Sequence, residues 1–196
     1  MRFLLPLALA AGLTACATTE DVVPVSYTAS AAQSVPGAEN IHVSVTATDA
    51  RTTNRGRIST KVNGYGMEMA AIRTNDDIAA DVKNAIANEL KARGYKLSDG
   101  GQQVSAAVTT FYTTFNTGMW AGRADGRVEM TVKVSDPSGR TLYSRDLHGL
   151  SQKTIQLASG KNAAAALSDA LSEALKTLFT DGDFLKALAG QGAVGA

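Results

Sequence analysis

The residues from which chemistry could be built in this 196-residue chain are few: two histidines, a group of aspartates, a serine-glycine-lysine triplet, an aspartate-arginine pair, one tryptophan and one cysteine. His42 and His148 are far apart, each beside polar neighbours in a segment that alternates like a strand. A metal site needs three or four ligands at close, recurring spacings. Neither histidine has a His-x-x-x-His partner or a cysteine cluster beside it, so no metal site and no cofactor are expected, and both are read as solvated side chains on strand faces. No serine occupies the Gly-x-Ser-x-Gly setting of a nucleophile elbow. Ser159-Gly160-Lys161 resembles the end of a phosphate loop, but the upstream glycine is missing and Asn162 stands where a Ser or Thr is required, so a turn before a helix accounts for it. Asp76, Asp77 and Asp81 could pair for acid-base work, yet acidic residues in a first helical turn also complement the helix dipole, and that reading is preferred. No catalytic set emerges, and the chain is expected not to be an enzyme.

Recognition residues are easier to nominate. Asp49 and Arg51 follow a strand in a polar stretch, where they either form an ion pair or Asx turn that fixes the loop, which is favoured, or contact a ligand. Trp120 stands between glycines with Arg123 close behind and Phe111, Tyr112 and Phe115 just before it. Aromatic and arginine side chains are frequent anchors of binding surfaces, although a tryptophan at a hairpin tip can equally fold over the edge of the core. Tyr65, with Met67, lies in another glycine-punctuated stretch and could join the same surface. The candidate surface is therefore Asp49, Arg51, Tyr65, Trp120 and Arg123.

Cys16 is the single cysteine. Ahead of it, Arg2 is followed by an uncharged apolar run from Phe3 to Leu13, a targeting segment too short to span roughly 30 Å of hydrocarbon, which takes about 20 residues. Leu13-Thr14-Ala15-Cys16 resembles the lipobox of bacterial lipoproteins, which implies cleavage before Cys16 and a diacylglycerol thioether on its sulfur. The alternative is an ordinary secretory cut that leaves a free thiol, a liability in an oxidising compartment. Residues 1–15 are thus a lipoprotein signal peptide. Three acyl chains at the new terminus exceed the two signals that stable anchoring needs. Ala17, where an aspartate would mark inner-membrane retention, implies the outer membrane, with the chain facing the periplasm. Loss of Arg2 with the leader brings Lys+Arg from 19 to 18, equal to the 18 Asp+Glu, so there is no basic footprint for nucleic acid.

These residues have to be positioned by elements. Residues 16–40 are small and polar, broken by Pro24, Pro36 and Gly37, and read as the lipidated N-terminus and a flexible tether of about 80 Å at full extension; a short strand around Val22 to Val25 is the alternative. Residues 41–190 read as one α/β domain and 191–196 as a loose tail. Ile41 to Thr48 alternates as a strand with one buried face. The glycine-punctuated stretch from Asp49 to Asn75 suggests a long loop or irregular hairpin. Ile78, Val82, Ile86 and Leu90 stripe a helix capped by Asn75 or Asp76 and ended by Gly94. Short strand Tyr95 to Leu97 follows, then a strand from Val104 whose apolar phase flips near Thr109, the mark of a bulge. Val128 to Val134 is a strand, Asp136-Pro137-Ser138-Gly139 a turn, and Arg140 to about Leu150 its hairpin partner. A helix from about Lys161 to Phe179 and a shorter one burying Phe184 and Leu188 close the domain. The expected fold is α+β, a two-layer sandwich with a mostly antiparallel four- to five-stranded sheet and two helices packed on one face.

The residues also resemble the YajG family of outer-membrane lipoproteins, through the lipobox, the stretch VSVTATDART at 43–52, the helix end LKARGYKL at 90–97 and the alanine-rich last helix, over roughly residues 41 to 188. The resemblance implies location and fold more than activity. Together the readings point to a non-enzymatic binding or accessory module of the cell envelope, held to the membrane by its N-terminal lipid, with a protein or glycan partner and no nucleic acid. A cell-envelope hydrolase and an accessory subunit of a lipid or solute transport system are the alternatives.

Overall fold

A computed structural model describes residues 18–29, 34–75, 77–118 and 121–191. In chain order the elements are β1 (Asp21–Val22), a 3-10 turn (Ala38–Asn40), β2 (His42–Asp49), β3 (Ser59–Val62), β4 (Glu68–Arg73), α1 (Ile78–Ala92), β5 (Lys96–Leu97), β6 (Gln102–Asn116), β7 (Gly122–Ser135), β8 (Thr141–Ile155), α2 (Gly160–Thr180) and α3 (Gly182–Leu188). The alternating segments become strands for the reason their patterns give: Val43 and Val45 in β2 are buried while His42 and Thr46 are exposed, and Val128, Met130, Val132 and Val134 fill one face of β7.

The expectation of one mostly antiparallel sheet under two helices is corrected: the strands form two mixed sheets with three helices. The larger has the order β5-β2-β6-β7-β8, parallel at β5/β2 and β2/β6 and antiparallel at β6/β7 and β7/β8. The smaller has the order β1-β4-β3, with β1 parallel and β3 antiparallel to β4. The stretch expected to be a loop supplies β3 and β4. It escapes a periodicity reading because Ser59, Thr60 and Lys61 are consecutive, polar and all buried. Hydrogen bonds make that burial tolerable: Ser59 Oγ donates to the Thr113 carbonyl at 2.7 Å, Thr60 Oγ1 meets the Tyr112 hydroxyl at 3.1 Å, and Lys61 Nζ lies 2.7 Å from Asp21 Oδ1.

Residues expected to be a tether are packed on the domain over 18–29 and 34–40. Val23 N–H donates to the Arg73 carbonyl at 3.0 Å and Val35 N–H to that of Arg93 at 2.9 Å. Ser168 Oγ donates to the Ser26 carbonyl at 2.7 Å, and the Tyr27 hydroxyl donates to the buried Glu89 carboxylate. Val25 and Ala38 are part of the core. The fold therefore begins near residue 19, not 41. The signal peptide, Cys16 and most of the expected tail lie outside the described residues.

α1 and α2 cover the same face of the large sheet. In α1 the buried residues Ile78, Val82, Ile86 and Leu90 form the expected stripe, Asp77 rather than Asn75 or Asp76 caps the helix by accepting from Ala79 N–H, and Gly94 follows it at φ +98°. In α2 the stripe combines Leu167, Leu171, Leu175 and Leu178 with Ala163, Ala166, Ala170 and Ala174, all buried. The alanines are small because the helix lies close to the strands. A Cβ at Gly149 of β8 would overlap the Ala170 carbonyl oxygen, and one at Gly126 of β7 would overlap that of Ala166. α3 closes the end of the core with Phe184, whose ring meets Phe179 and Tyr143 edge-on at 5.4 and 5.5 Å.

Candidate functional site

Asp49 ends β2 and Arg51 follows it back into the protein. The Arg51 guanidinium grips the Asp49 carboxylate with two hydrogen bonds of 2.9 Å. Its remaining donors reach the carbonyls of Asn54 at 3.1 Å, Arg55 at 3.0 Å, Arg57 at 3.3 Å and Phe111 at 3.5 Å. Only 3% of Arg51 is exposed. Its hydrogen bond to Asp49 holds that carboxyl below the ordinary carboxylate range, although burial pushes the other way. A guanidinium spent in this manner ties the 52–57 loop to β2 and β6 and has no donor left for a ligand, so Arg51 is corrected from the candidate surface to the framework.

Beside this pair lies a cleft of about 230 Å³ whose lining includes Asp49, Arg55, Arg57, Arg73 and Asp77. Its arginines are engaged as well. Arg73 forms two hydrogen bonds with Glu20, of 2.8 and 3.0 Å, and donates to the Gly56 carbonyl. Arg57 reaches Thr60 Oγ1 at 2.8 Å and Glu68 at 3.3 Å.

Tyr65 and Arg123 stand elsewhere. Tyr65 occupies the β3–β4 turn, which Asn63 shapes by accepting the Tyr65 and Met67 N–H groups on its Oδ1 at 2.9 and 3.0 Å. Tyr65 is 91% exposed. Thr117 Oγ1, at the end of the β6–β7 hairpin, donates to the Asn63 carbonyl at 3.1 Å and joins the two tips. Arg123, just past that turn on β7, donates to Asp125 at 3.0 Å, a carboxylate that also receives Asn116 Nδ2 at 2.7 Å. Trp120 lies outside the described residues. Asp49 is level with Val108 on β6, well short of the tip that follows Asn116. The structure thus brings Tyr65 and Arg123 to one end of the molecule and leaves Asp49 and Arg51 on its flank.

Sequence reasoning missed the bare face of the large sheet, opposite the helices. At its middle Glu129 accepts from Thr110 Oγ1 at 2.7 Å and Arg127 Nε at 2.8 Å, with His148 Nδ1 at 3.3 Å. The Thr110 bond chiefly, aided by Arg127 and His148 and opposed by burial, holds the Glu129 carboxyl below its ordinary range. Thr131 Oγ1 donates to Asp146 at 2.6 Å on the same face. The polar phase of β7, Glu129-x-Thr131-x-Lys133, was the signal available. His42 is remote from all of this, 2.6 Å from Ser98 Oγ. Among the described residues no three His, Cys, Asp or Glu side chains converge as metal ligands do, and no helix is long and apolar enough to cross a membrane.

A family model described as an uncharacterized lipoprotein matches residues 28–189. No curated protein matches the chain. Among solved structures, the chain is similar to a protein of Xanthomonas campestris, with a TM-score of 0.59 at 12% identity over 87% of this chain and 96% of that one, a likeness of fold. A minor lipoprotein of Acinetobacter baumannii gives a TM-score of 0.41 at 11% identity over 77% of this chain and 94% of that one.

Proposed function

Because the chain belongs to this family of uncharacterized lipoproteins, we propose that it is anchored through lipid on Cys16 to the periplasmic face of the outer membrane, as the YajG-like stretches at 43–52 and 90–97 and Ala17 imply, and that it works there as a non-enzymatic binding module. The observation that carries the binding role is the bare sheet face. Three strands of 14 and 15 residues present it, and its side chains, Thr110, Arg127, Glu129, Thr131, Asp146 and His148, offer donors and acceptors in rows without a nucleophile set among them. Such a surface suits a polar partner in the envelope, a protein or a glycan.

A photo-crosslinking residue in place of His148, in intact envelopes of the native host, is expected to capture one discrete protein or glycan species. Arg127→Glu in the same chain is expected to abolish that capture. An unchanged adduct in the charge-reversed variant would remove the face from consideration. Turnover of an envelope glycan or ester by the purified chain would instead establish a hydrolase.

A further inference from the structure

The docked N-terminal segment fixes where a lipid on Cys16 has to emerge. β1 is parallel to β4, with Asp21 beside Ile72 and Val22 beside Arg73. Followed backwards from Asp21, the chain runs toward the start of β4 and the turn between β3 and β4. Lys61 Nζ donates to the Thr19 carbonyl at 2.9 Å, and Lys61 is level with Ala70 in the hairpin. Residue 19 is thus held a few residues below the tip that carries Tyr65.

Two residues, Ala17 and Thr18, separate Thr19 from Cys16, three steps that reach about 10 Å at full extension. Acyl chains on the Cys16 sulfur can enter a bilayer only if its surface comes within that reach of Thr19. The part of the protein already there exposes large apolar side chains. Of the six large apolar side chains most exposed among the described residues, Tyr65 (91%), Met67 (58%) and Met69 (36%) sit on this hairpin. Leu157 (69%) joins them, because β8 ends at Ile155 opposite Gly122, the residue that opens β7 after the neighbouring turn. Isolated exposed apolar residues are ordinary, but their gathering at one end is not.

Most of the charges around this end are matched, Lys61 with Asp21 at 2.7 Å, Arg57 with Glu68 at 3.3 Å and Arg123 with Asp125 at 2.7 Å, and Lys161 at the start of α2 is an exposed cation among them. The end is therefore suited to the headgroup and upper acyl region, where an amphipathic tyrosine and flexible methionines are at home, and not to an anionic surface reached by basic residues. We propose that this end of the molecule, with Tyr65, Met67 and Leu157, rests in the bilayer that holds the anchor; the inference depends on lipidation of Cys16. The β7–β8 turn around Ser138 then projects away from the membrane, since β7 spans about 45 Å between the two ends, and the bare sheet face stands upright beside the bilayer.

Cys16 is the only cysteine, and a lipid on its sulfur leaves no thiol, so a cysteine introduced elsewhere labels uniquely. The full lipidated chain, carrying Tyr65→Cys, Leu157→Cys or Ser138→Cys with an environment-sensitive dye, is reconstituted in phosphatidylethanolamine–phosphatidylglycerol vesicles containing doxyl-labelled lipid. Dye at 65 and 157 is expected to be quenched several-fold more than dye at 138, and to remain so in 1 M salt, about ten times an ordinary ionic strength and enough to screen surface charge. Equal quenching at all three positions, or loss of the difference in salt, overturns the inference. Mass spectrometry of the same preparations separates the two readings. An acylated Cys16 with no quenching at 65 refutes the membrane face alone, whereas an unmodified Cys16 refutes the lipid anchor and the face with it.

Discussion

Arg51 shows how a single side chain can be legible in kind and not in role. Asp49 and Arg51 read as either a loop-fixing pair or a ligand contact, and the spacing could not choose because both uses want a carboxylate and a guanidinium two residues apart. The carbonyls of Asn54, Arg55, Arg57 and Phe111 decide it, and three of these belong to a loop that has no pattern to read. Removing one member of a buried, hydrogen-bonded pair costs about 3 to 5 kcal/mol, so Arg51→Ala is expected to lower stability by about that much in urea unfolding. Arg51→Lys should recover little, since an ammonium cannot span a carboxylate and several carbonyls at once. Asp49 is held below its ordinary value in the fold, so its share of the stability is complete above about pH 4 and is lost as pH falls through the depressed value. The gap between the native chain and Arg51→Ala should therefore narrow in acid.

At the scale of elements, apolar periodicity identified β2, β6, β7, α1 and α2, each of which buries one face against a partner, and left β3 and β4 inside an expected loop. The phase flip near Thr109 is a real bulge, where the β6–β7 register shifts between Val108 and Thr110. β8 runs five residues beyond the expected end at Leu150, to Ile155, because Ser151 to Thr154 pair with β7 without needing apolar side chains. β3 was not legible, since a strand packed on both sides and satisfied by hydrogen bonds has no alternation to display. The close seat of α2 on the sheet makes a sharp prediction. Gly149→Ala places a methyl group on the Ala170 backbone and should cost about 1 to 3 kcal/mol, as overpacking does, seen as a fall in Tm. Gly182→Ala, where nothing lies within 4 Å and the backbone needs no positive φ, should leave Tm unchanged or slightly raised.

For the molecule as a whole, the docked N-terminus replaces the expected stand-off domain with one whose described chain begins close to the proposed anchor at Cys16. The Asp21 carboxylate holds the strap by accepting from Gly160 N–H at the start of α2 at 2.8 Å and pairing with Lys61 at 2.7 Å. Asp21→Ala is expected to release the segment and expose Tyr27, whose hydroxyl is otherwise bound to Glu89, so that chymotrypsin cuts after Tyr27 much faster than in the native chain. Equal cleavage rates in both would show that the strap is not held there, and the short reach from Thr19 to the membrane would lose its basis.

The strands β2, β6 and β7 and the striped helices could be read without a structure, because each depends on neighbours a few positions away: a period of two, or a period of three to four. What the fold alone decided is where distant segments meet. The docking of residues 19–27, the second sheet, the spending of Arg51 on backbone carbonyls and the joining of the Tyr65 and Thr117 turns all rest on hydrogen bonds and burial between residues tens of positions apart. Local periodicity carries no trace of such contacts, since they are selected by the closure of the chain in three dimensions.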